Sequence, residues 1–380
     1  MDDAIRRAMI KDLSRARRLV VKIGSALLVH EETGAIRRDW LNALADDIHH
    51  LRAVNTDILV VSSGAIAVGR RHLGLMQNLI RLEEKQAAAA SGQIQLAHAY
   101  QEALARHQIS VAQILVTLGD TEERRRHLNA RSTIMQLLAL GAVPVVNEND
   151  TVATTEIRFG DNDRLAARVA AMISADTLVL LSDIDGLYAR DPRIDASADH
   201  ISRVDEITPE IEAMGGRAPT GYSSGGMETK IQAAKIATAA GCRMVIANGV
   251  KSHPLKRLTE GARCTWFMPS ASPLTARKRW IVGSLNPIGE ILIDIGAERA
   301  LKQGKSLLPA GVVGVRGSFE RGDAVIVRSS EGHELARGLS AYSDVDAARI
   351  AGRRSVEIAK ILGYRGRDEL IHRDDLVLTS

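Results

Sequence analysis

The sequence predicts an α/β protein: an open, mostly parallel sheet covered by helices on both faces, followed by a small, mostly β C-terminal domain. Over the first 250 residues, short runs rich in Val, Ile and Leu alternate with longer segments in which apolar residues recur at helical spacing. Strands that alternate with helices form parallel sheets that are buried on both faces. Beyond that point the alternation stops, and short segments are separated by glycine-containing turns.

Six apolar runs predict the strands of the large sheet, at residues 19–23, 58–61, 111–116, 142–146, 178–181 and 244–247. The segments between most of these runs predict helices, at residues 40–54, 85–107, 129–140, 164–173 and 230–240. In the C-terminal part, four short segments predict strands, at residues 290–295, 311–315, 324–328 and 334–339. One helix is predicted near residues 344–362.

The predicted domain boundary follows from proline and charge. Four of the nine prolines lie between residues 254 and 287, and residues 251–280 hold seven Lys or Arg residues against one acid, Glu260. Such a stretch is typical of a solvated linker. We therefore predict four parts: an N-terminal extension at 1–18, a parallel-sheet domain at 19–262, a linker at 263–284 and a β domain at 285–380. The extension is basic, but acidic residues interrupt it and no apolar run of a targeting segment follows.

The composition is that of an ordinary globular protein, with 45% hydrophobic and 25% charged residues. Only 3% of the residues are aromatic, which argues against a nucleic-acid-binding protein built on rows of stacking side chains. The formal net charge is +4, yet residues 281–380 hold 14 basic and 14 acidic residues and therefore no excess. Two cysteines are too few for a disulfide framework or a four-cysteine zinc site. We expect a cytoplasmic protein that does not enter a membrane.

Polar residues follow five of the six predicted strands of the large sheet. In an open parallel sheet, ligands bind beyond the carboxyl ends of the strands, so these residues are the candidates for a site. The sequence predicts that they line one pocket. They are Lys22 to Ser25, Ser62 to Ala65, Asn147 to Asp150, Ser182 with Asp183, and Asn248 with Gly249.

Two segments have the character of phosphate-binding elements. Lys22 ends a strand and is followed by Gly24, so that the backbone can approach an anion while the ammonium supplies positive charge. A glycine-rich loop at residues 220–230 runs into a helix whose first amides would also hold phosphates. The alternatives are a lysine that only extends to solvent and an ordinary surface loop. Neither a GxxxxGK[ST] loop nor a GxGxxG fingerprint occurs.

Two carboxylates flank an amide at Asp161, Asn162 and Asp163, at the head of a predicted helix. In a purely structural role, Asp161 would be an N-cap and Asp163 an acid favoured by the helix dipole. In a functional role, one carboxylate would organise the lysines or a hydrated magnesium ion, which prefers few protein carboxylates together with phosphate oxygens.

Taken together, these segments resemble the amino-acid kinase family, and in particular its members that act on glutamate. The resemblance covers nearly the whole chain. The segments that carry it are 20–25, 61–66, 145–150, 159–163, 181–188 and 225–230. Residues 306–311 and 321–323 resemble a PUA domain, a fold common in RNA-modifying proteins. Ala26 departs from the family pattern, which usually has a hydroxyl residue there, and we assign it no role.

The resemblance implies a role for each candidate residue. Lys22 and Lys230 would contact the transferring phosphates, and Asp161 and Asp163 would orient these lysines as the rest of the catalytic set. The acceptor site would consist of Ser63, Asp150 and Asn162. The ATP site would consist of Lys22, Ser182, Asp183, Ser224, Gly225, Gly226, Met227, Glu228, Thr229 and Lys230.

The resemblance also implies a reaction: transfer of the γ-phosphoryl group of ATP to the side-chain carboxylate of L-glutamate, at the start of proline biosynthesis. Mg²⁺ would be held mainly by ATP phosphates and water. Proline would inhibit by competing in the glutamate pocket, and the chain would form a dimer or tetramer. The alternatives are a family member with another acceptor, or a protein that binds RNA through its C-terminal domain and uses the kinase-like part as a scaffold.

The expected reaction needs no general base. A glutamate side chain has a pKa near 4.3, so the attacking carboxylate is already ionised at neutral pH. The site must instead hold two anions close together, which calls for lysines, helix-terminal amides and magnesium. We expect Lys22 and Lys230 to lie at a solvent-filled cleft, so that replacing either one would leave the fold intact.

Overall fold

The computed structural model describes residues 13, 16–75, 81–152, 162–216, 226–276 and 287–379. The chain divides into two compact units, Met1–Pro273 and Leu274–Ser380. Within the described ranges, none of the helices is both long enough and apolar enough to cross a membrane.

The first unit is built on an eight-stranded sheet among the described residues, with the strand order β3-β4-β2-β1-β5-β9-β10-β8. All six predicted strands are present, and the strands from β3 to β9 in that order run parallel to their neighbours. The strands of this unit are β1 Arg18–Ile23, β2 Asp57–Ser62, β3 Val111–Val116, β4 Val143–Glu148, β5 Thr177–Ser182, β6 Leu187–Tyr188, β7 His200–Ile201, β8 Arg203–Val204, β9 Arg243–Asn248 and β10 Cys264–Phe267. Strands β6 and β7 form a separate two-stranded ribbon.

Helices cover both faces of this sheet, which confirms the predicted α/β fold class. One apolar cluster joins the helices at Arg38–Ala53 and Leu82–Ala105 to one face of β1, and a second joins the helices at Asn162–Met172 and Met227–Ala239 to the other face. The helices of the first unit are α1 Ser25–Leu28, α2 Arg38–Ala53, α3 Ala65–His72, α4 Leu82–Ala105, α5 Leu118–Glu122, α6 Arg124–Ala139, α7 Asn162–Met172, α8 Pro209–Ala213, α9 Met227–Ala239 and α10 Pro254–Thr259.

Strand β1 lies at the point where the order of the strands reverses. The chain leaves β1 for β2 on one side of it, whereas β5, on the other side, leads on to β9. A crevice forms at such a point beyond the carboxyl ends of the strands. The sheet topology therefore places the end of β1, with Lys22, beside the ends of β2 and β5.

Helices α3 and α4 cross with their backbones in direct contact, and two glycines permit this. A Cβ atom on Gly69 would lie 1.7 Å from the Ala88 carbonyl oxygen, and one on Gly92 would lie 1.9 Å from the Ala65 carbonyl oxygen. Because α3 begins directly after Ser63 and Gly64, this crossing fixes the candidate acceptor loop against α4.

We expect Gly92→Ala to destabilise the protein by about 1–3 kcal/mol or more, because the methyl group would meet backbone atoms that cannot rotate away. Denaturant unfolding would measure the loss. The matched control is Gly119→Ala in α5, where the nearest atom to the new methyl group lies at 3.6 Å. We expect that control to stay within about 1 kcal/mol of the parent, and equal losses in the two variants would contradict the explanation.

The structure differs from the sequence expectation after residue 250. Residues 264–267, which fall in the predicted linker 263–284, form strand β10 antiparallel to β9. Trp266 and Phe267 are buried there, so this apolar segment belongs to the first sheet although basic residues surround it. The remainder of that linker lies partly outside the described residues.

The second unit contains a five-stranded sheet with the order β12-β11-β13-β14-β15. Its elements are β11 Gly289–Ile293, α11 Ile295–Lys302, β12 Val312–Gly317, β13 Ala324–Arg328, β14 Glu334–Leu339, α12 Asp344–Ile350, α13 Ile358–Leu362 and β15 Leu376–Leu378. The four predicted strands are present, and the small, mostly β fold is confirmed. The single helix predicted near residues 344–362 is wrong, because Ala351 leaves the helical conformation and Gly352 follows with a positive φ of 71°, so a turn separates α12 from α13.

Candidate active site

Two lysines and one aspartate form a buried ion cluster at the carboxyl end of β1. The Lys22 Nζ lies 2.6 Å from Asp163 Oδ1, and the Lys230 Nζ lies 3.3 Å from Asp163 Oδ2. Side chains alternate along a strand, so Lys22 shares with Val20 the face of β1 that packs against α7 and α9. Asp163 is in the first turn of α7 and Lys230 in the first turn of α9, so both reach this face.

The expected solvent-filled cleft around the lysines is wrong for the described residues. Lys22 is 6% exposed, Lys230 is 5% exposed and Asp163 is fully buried. Two ammonium groups and one carboxylate leave a formal charge of +1 in this cluster. Ammonium groups held at the end of a strand and in the first turn of a helix favour a bound anion.

The charge on Asp163 is held in place by its neighbours. Burial alone would raise the pKa of its carboxyl group, but the two ammonium groups and the hydroxyl of Thr229 outweigh burial and lower the pKa to about 2. The Thr229 Oγ1 donates to Asp163 Oδ2 at 2.9 Å. Asp163 is therefore ionised at neutral pH and fixes both lysines beside the start of α9.

A second cluster consists of amide and hydroxyl groups next to the ion cluster. The Asn162 Nδ2 donates to Ser63 Oγ at 2.8 Å and to the Ser62 carbonyl oxygen at 3.2 Å. Asn147, at the end of β4, faces the same amide, with its Oδ1 at 3.3 Å from Asn162 Nδ2. Asn162 and Asp163 are adjacent residues in the first turn of α7, so this helix joins the polar cluster to the ion cluster.

Asp150 is a buried carboxylate without a counter-ion among the described residues. It lies just beyond β4 and is 8% exposed. Burial raises the pKa of its carboxyl group to about 6, and no ammonium or guanidinium group of the described chain lowers it again. Such a carboxylate would bind a ligand ammonium group more readily than it would bind an anion.

The described candidate residues of the nucleotide site lie at the end of β5 and at the start of α9. Ser182 ends β5 and donates from its Oγ to Asp183 Oδ1 at 2.9 Å, and Asn248 Nδ2 donates to the Asp183 carbonyl oxygen at 3.1 Å. Gly226 is the N-cap of α9, and Met227, Glu228, Thr229 and Lys230 form its first turn. Three predicted site residues lie outside the described residues: Asp161, Ser224 and Gly225.

Sequence reasoning missed two buried residues of α4 that contact this region. Gln93 accepts a hydrogen bond from Asn147 Nδ2 at 2.7 Å, and the Tyr100 hydroxyl lies 3.0 Å from Ser62 Oγ. Their spacing of seven residues, which places both on one face of a helix, is the signal that would have paired them. An alanine-rich helix otherwise gives no indication that these polar groups meet strand ends.

Residues 17–248 match the model of the amino acid kinase family, and residues 289–362 match that of the PUA domain. The chain is 63% identical over 366 residues to glutamate 5-kinase of Paramagnetospirillum magneticum, covering 96% of this chain and 99% of that protein. It is 60% identical over 373 residues to glutamate 5-kinase of Sinorhizobium fredii, covering 98% and 95% respectively. The chain belongs to the glutamate 5-kinase branch of the amino acid kinase family.

This membership confirms the resemblance, and with it that the protein is an enzyme of the kinase class. Glutamate 5-kinase 1 of Rhizobium meliloti is also similar, at 61% identity over 370 residues that cover 97% of this chain and 94% of that protein. Among solved structures, UMP kinase from Ureaplasma parvum aligns with a TM-score of 0.47 at 15% identity, over 67% of this chain and 99% of that one.

Proposed function

We propose that the protein transfers the γ-phosphoryl group of ATP to the side-chain carboxylate of L-glutamate, giving L-glutamyl 5-phosphate as the first step of proline biosynthesis. The observation that carries this proposal is the adjacency of two clusters. The Lys22–Asp163–Lys230 cluster has the charge to hold phosphate oxygens, and the Ser63–Asn162 cluster, joined to it through α7, has the polar groups to hold an amino acid.

The chemistry requires charge neutralisation and alignment. One oxygen of the glutamate side chain forms a bond to the γ-phosphorus, the bond from that phosphorus to the β,γ-bridging oxygen breaks, and ADP leaves with the electron pair. The carboxylate is already ionised, so no side chain needs to accept a proton. Lys22 and Lys230 would stabilise the negative charge of the transition state from positions that Asp163 fixes in advance.

Magnesium would be held mainly by ATP phosphates and water. The described residues contain no group of three or more His, Cys, Asp or Glu side chains placed to bind a metal ion. Mg²⁺ keeps most of its water and takes few protein carboxylates, so phosphate oxygens would supply its remaining ligands. When bound, Mg²⁺ would neutralise part of the phosphate charge beside the two lysines.

The remaining candidates would hold the two substrates. Ser182, Asp183 and the first turn of α9, from Gly226, would contact the nucleotide, with Ser224 and Gly225 on the loop before it. Ser63 and Asn162 would hold the acceptor. Asp150 would pair with the acceptor's ammonium group, because the buried Asp150 carboxylate has no counter-ion among the residues that the structure describes. Proline carries a secondary ammonium group and an α-carboxylate, and it would compete for this pocket.

The test is magnesium-dependent release of ADP with glutamate, N-acetylglutamate, aspartate and carbamate as acceptors, with acyl phosphates trapped by hydroxylamine. We expect a trapped γ-glutamyl product with glutamate alone, and a loss of that product when proline is added. Turnover with another acceptor in place of glutamate would replace the proposed substrate. Product formation that proline does not reduce would remove the proposed feedback inhibition.

We expect Lys22→Met and Lys230→Met each to lower kcat about 100- to 1000-fold, because each removes one cation from the developing charge. The fold should persist, since Asp163 keeps the other lysine as its partner. The matched control is Lys235→Met, also on α9, whose partly exposed ammonium group pairs with Glu212. Turnover should be unchanged in that control. An unchanged kcat in either test variant would remove that lysine from the mechanism.

A further inference from the structure

A chain of side-chain amides leads from the candidate acceptor site into helix α4. The Ser63 Oγ accepts from Asn162 Nδ2, Asn147 Oδ1 lies 3.3 Å from the same Nδ2, and Asn147 Nδ2 donates to Gln93 Oε1 at 2.7 Å. These four residues come from four separate elements or their ends: β2, α7, β4 and α4. The chain ends at Gln93, which has no place in the proposed substrate sites.

Two backbone groups fix the direction of this chain. The N–H of Glu148 can only donate, and it donates to Asn147 Oδ1 at 2.9 Å. The Asn147 Nδ2 must therefore face Gln93, which receives it with Oε1. The Ser62 carbonyl oxygen can only accept, so Asn162 presents its Nδ2 to Ser62.

The fixed direction leaves one buried acceptor and one buried donor. Asn162 Oδ1 and Gln93 Nε2 are both buried and have no hydrogen-bond partner in the described part of the chain. Buried amide groups are almost always paired, so an unpaired one at a candidate site marks a place where a ligand or a further group binds. An acceptor such as Asn162 Oδ1 suits an ammonium group.

Helix α4 is a rigid support for Gln93. The side chain of Gln93 is 7% exposed, and the preceding residue, Gly92, lies in backbone contact with Ala65 of α3. Two turns further along, Tyr100 contacts Ser62. The position of Gln93 relative to the ends of β2 and β4 is therefore set by helix packing and does not depend on a loop.

We propose that Gln93 is a positioning residue that sets the specificity of the acceptor site for an α-amino acid. Its Oε1 holds Asn147, Asn147 holds Asn162, and Asn162 in turn presents its free oxygen to the acceptor ammonium group. Without Oε1, the Asn147 Nδ2 is a buried donor without an acceptor, which favours a different rotamer. The inference rests on the proposed function, because it assumes an amino acid as the acceptor.

The test compares glutamate with glutarate, which has the same two carboxylates but no amino group. In Gln93→Met, which keeps an unbranched side chain of similar length, we expect kcat/KM for glutamate to fall about 10- to 100-fold. We expect kcat/KM for glutarate and the KM for ATP to stay within about threefold of the parent. The selectivity for glutamate over glutarate should therefore fall by about tenfold or more. Where glutarate turnover is too slow to follow, its inhibition constant against glutamate gives the same comparison.

Two further variants separate positioning from general damage. Gln93→Glu keeps an acceptor oxygen for Asn147 and should retain more of the selectivity than Gln93→Met. If Gln93→Met does not fold, the selectivity of Gln93→Glu tests the positioning role instead. Gln101→Leu changes an exposed glutamine of the same helix and should leave both substrates unaffected.

The results that would contradict the proposed function differ from those that would contradict the positioning role of Gln93. If the parent protein does not phosphorylate glutamate, the proposed function fails before any variant is compared. If the parent is active but Gln93→Met loses glutamate and glutarate turnover equally, or loses neither, the positioning role is overturned. Loss of selectivity in Gln93→Glu equal to that in Gln93→Met would also overturn it, because the acceptor oxygen would then not matter.

Discussion

Replacing Asp163 with asparagine is expected to reduce turnover at least as much as the loss of either lysine and to lower the free energy of unfolding by about 3–5 kcal/mol. The carboxylate is fully buried and lies within 3.3 Å of both the Lys22 and the Lys230 ammonium groups. An asparagine of the same size keeps the packing but removes the charge, so the two buried ammonium groups lose the carboxylate that they share.

The effect on stability should be unequal within the cluster. Removing one lysine leaves Asp163 paired with the other lysine, whereas removing the Asp163 charge takes the shared carboxylate from two buried like charges. We therefore expect Asp163→Asn to be less stable than Lys22→Met or Lys230→Met, although all three lose activity. A role for Asp163 in helix N-terminal electrostatics alone would cost about 1 kcal/mol or less.

The pH dependence of stability also measures how much the Asp163 charge contributes to the free energy of unfolding. The pKa of Asp163 is about 2 in the folded protein and 3.8 in its ordinary state, so its ionised form stabilises the fold. That contribution is complete above about pH 4 and is lost as the pH falls towards 2. The stability difference between the parent and Asp163→Asn should therefore shrink over this range.

Unfolding by denaturant at several pH values, with kcat measured at neutral pH, would check this prediction. The matched control is Asp191→Asn, which removes an exposed carboxylate paired with Arg193 and should change stability by less than about 1 kcal/mol. Parent-like stability in Asp163→Asn at neutral pH would show that the two lysines do not depend on this carboxylate.

The strands of the first unit could be predicted from the sequence because a parallel strand buried on both faces is a continuous apolar run. All six predicted runs lie within a strand or extend past it by one residue. Strand β10 was missed because its four residues lie among basic residues and prolines, and its burial depends on antiparallel pairing with β9. The break between α12 and α13 depends on Gly352, whose positive φ a helical apolar pattern does not reveal.

The charged residues of the candidate site could be nominated from strand ends and motifs, but their environment could not be predicted. Burial of Lys22 results from α7 and α9 packing over β1, which is a tertiary effect. For Gln93 the local signal was limited to its helical spacing from Tyr100, because its role depends on contact with Asn147 across a helix–strand interface. Local patterns indicate which side chains are available, whereas packing decides which of them meet.

Asp150→Asn is expected to weaken the use of glutamate while making the substrate-free protein more stable. Asp150 is buried and has no counter-ion among the described residues, and its pKa is raised by burial to about 6. If it pairs with the acceptor ammonium group, its loss should raise the KM for glutamate roughly 30-fold or more, the equivalent of about 2 kcal/mol. The KM for ATP should not change.

The sign of the stability effect follows from the direction of the pKa shift. A carboxyl group with a pKa of about 6 in the folded state and 3.8 in its ordinary state prefers to be neutral in the fold, so its ionisation destabilises the protein. This penalty is absent below about pH 4, grows up to about pH 6 and is constant above that. Asparagine carries no charge, so Asp150→Asn should be more stable than the parent by about 1–3 kcal/mol at pH 7.5.

Two pH series would check this prediction. The parent KM for glutamate should rise as the pH falls below about 6, because a protonated Asp150 cannot attract an ammonium group, whereas the KM of Asp150→Asn should vary much less. The stability gain of the variant should disappear towards pH 4. A variant that is less stable than the parent at pH 7.5 would mean that Asp150 has a structural partner in the substrate-free protein. The Asp150 carboxylate would then not be available to bind the substrate ammonium group.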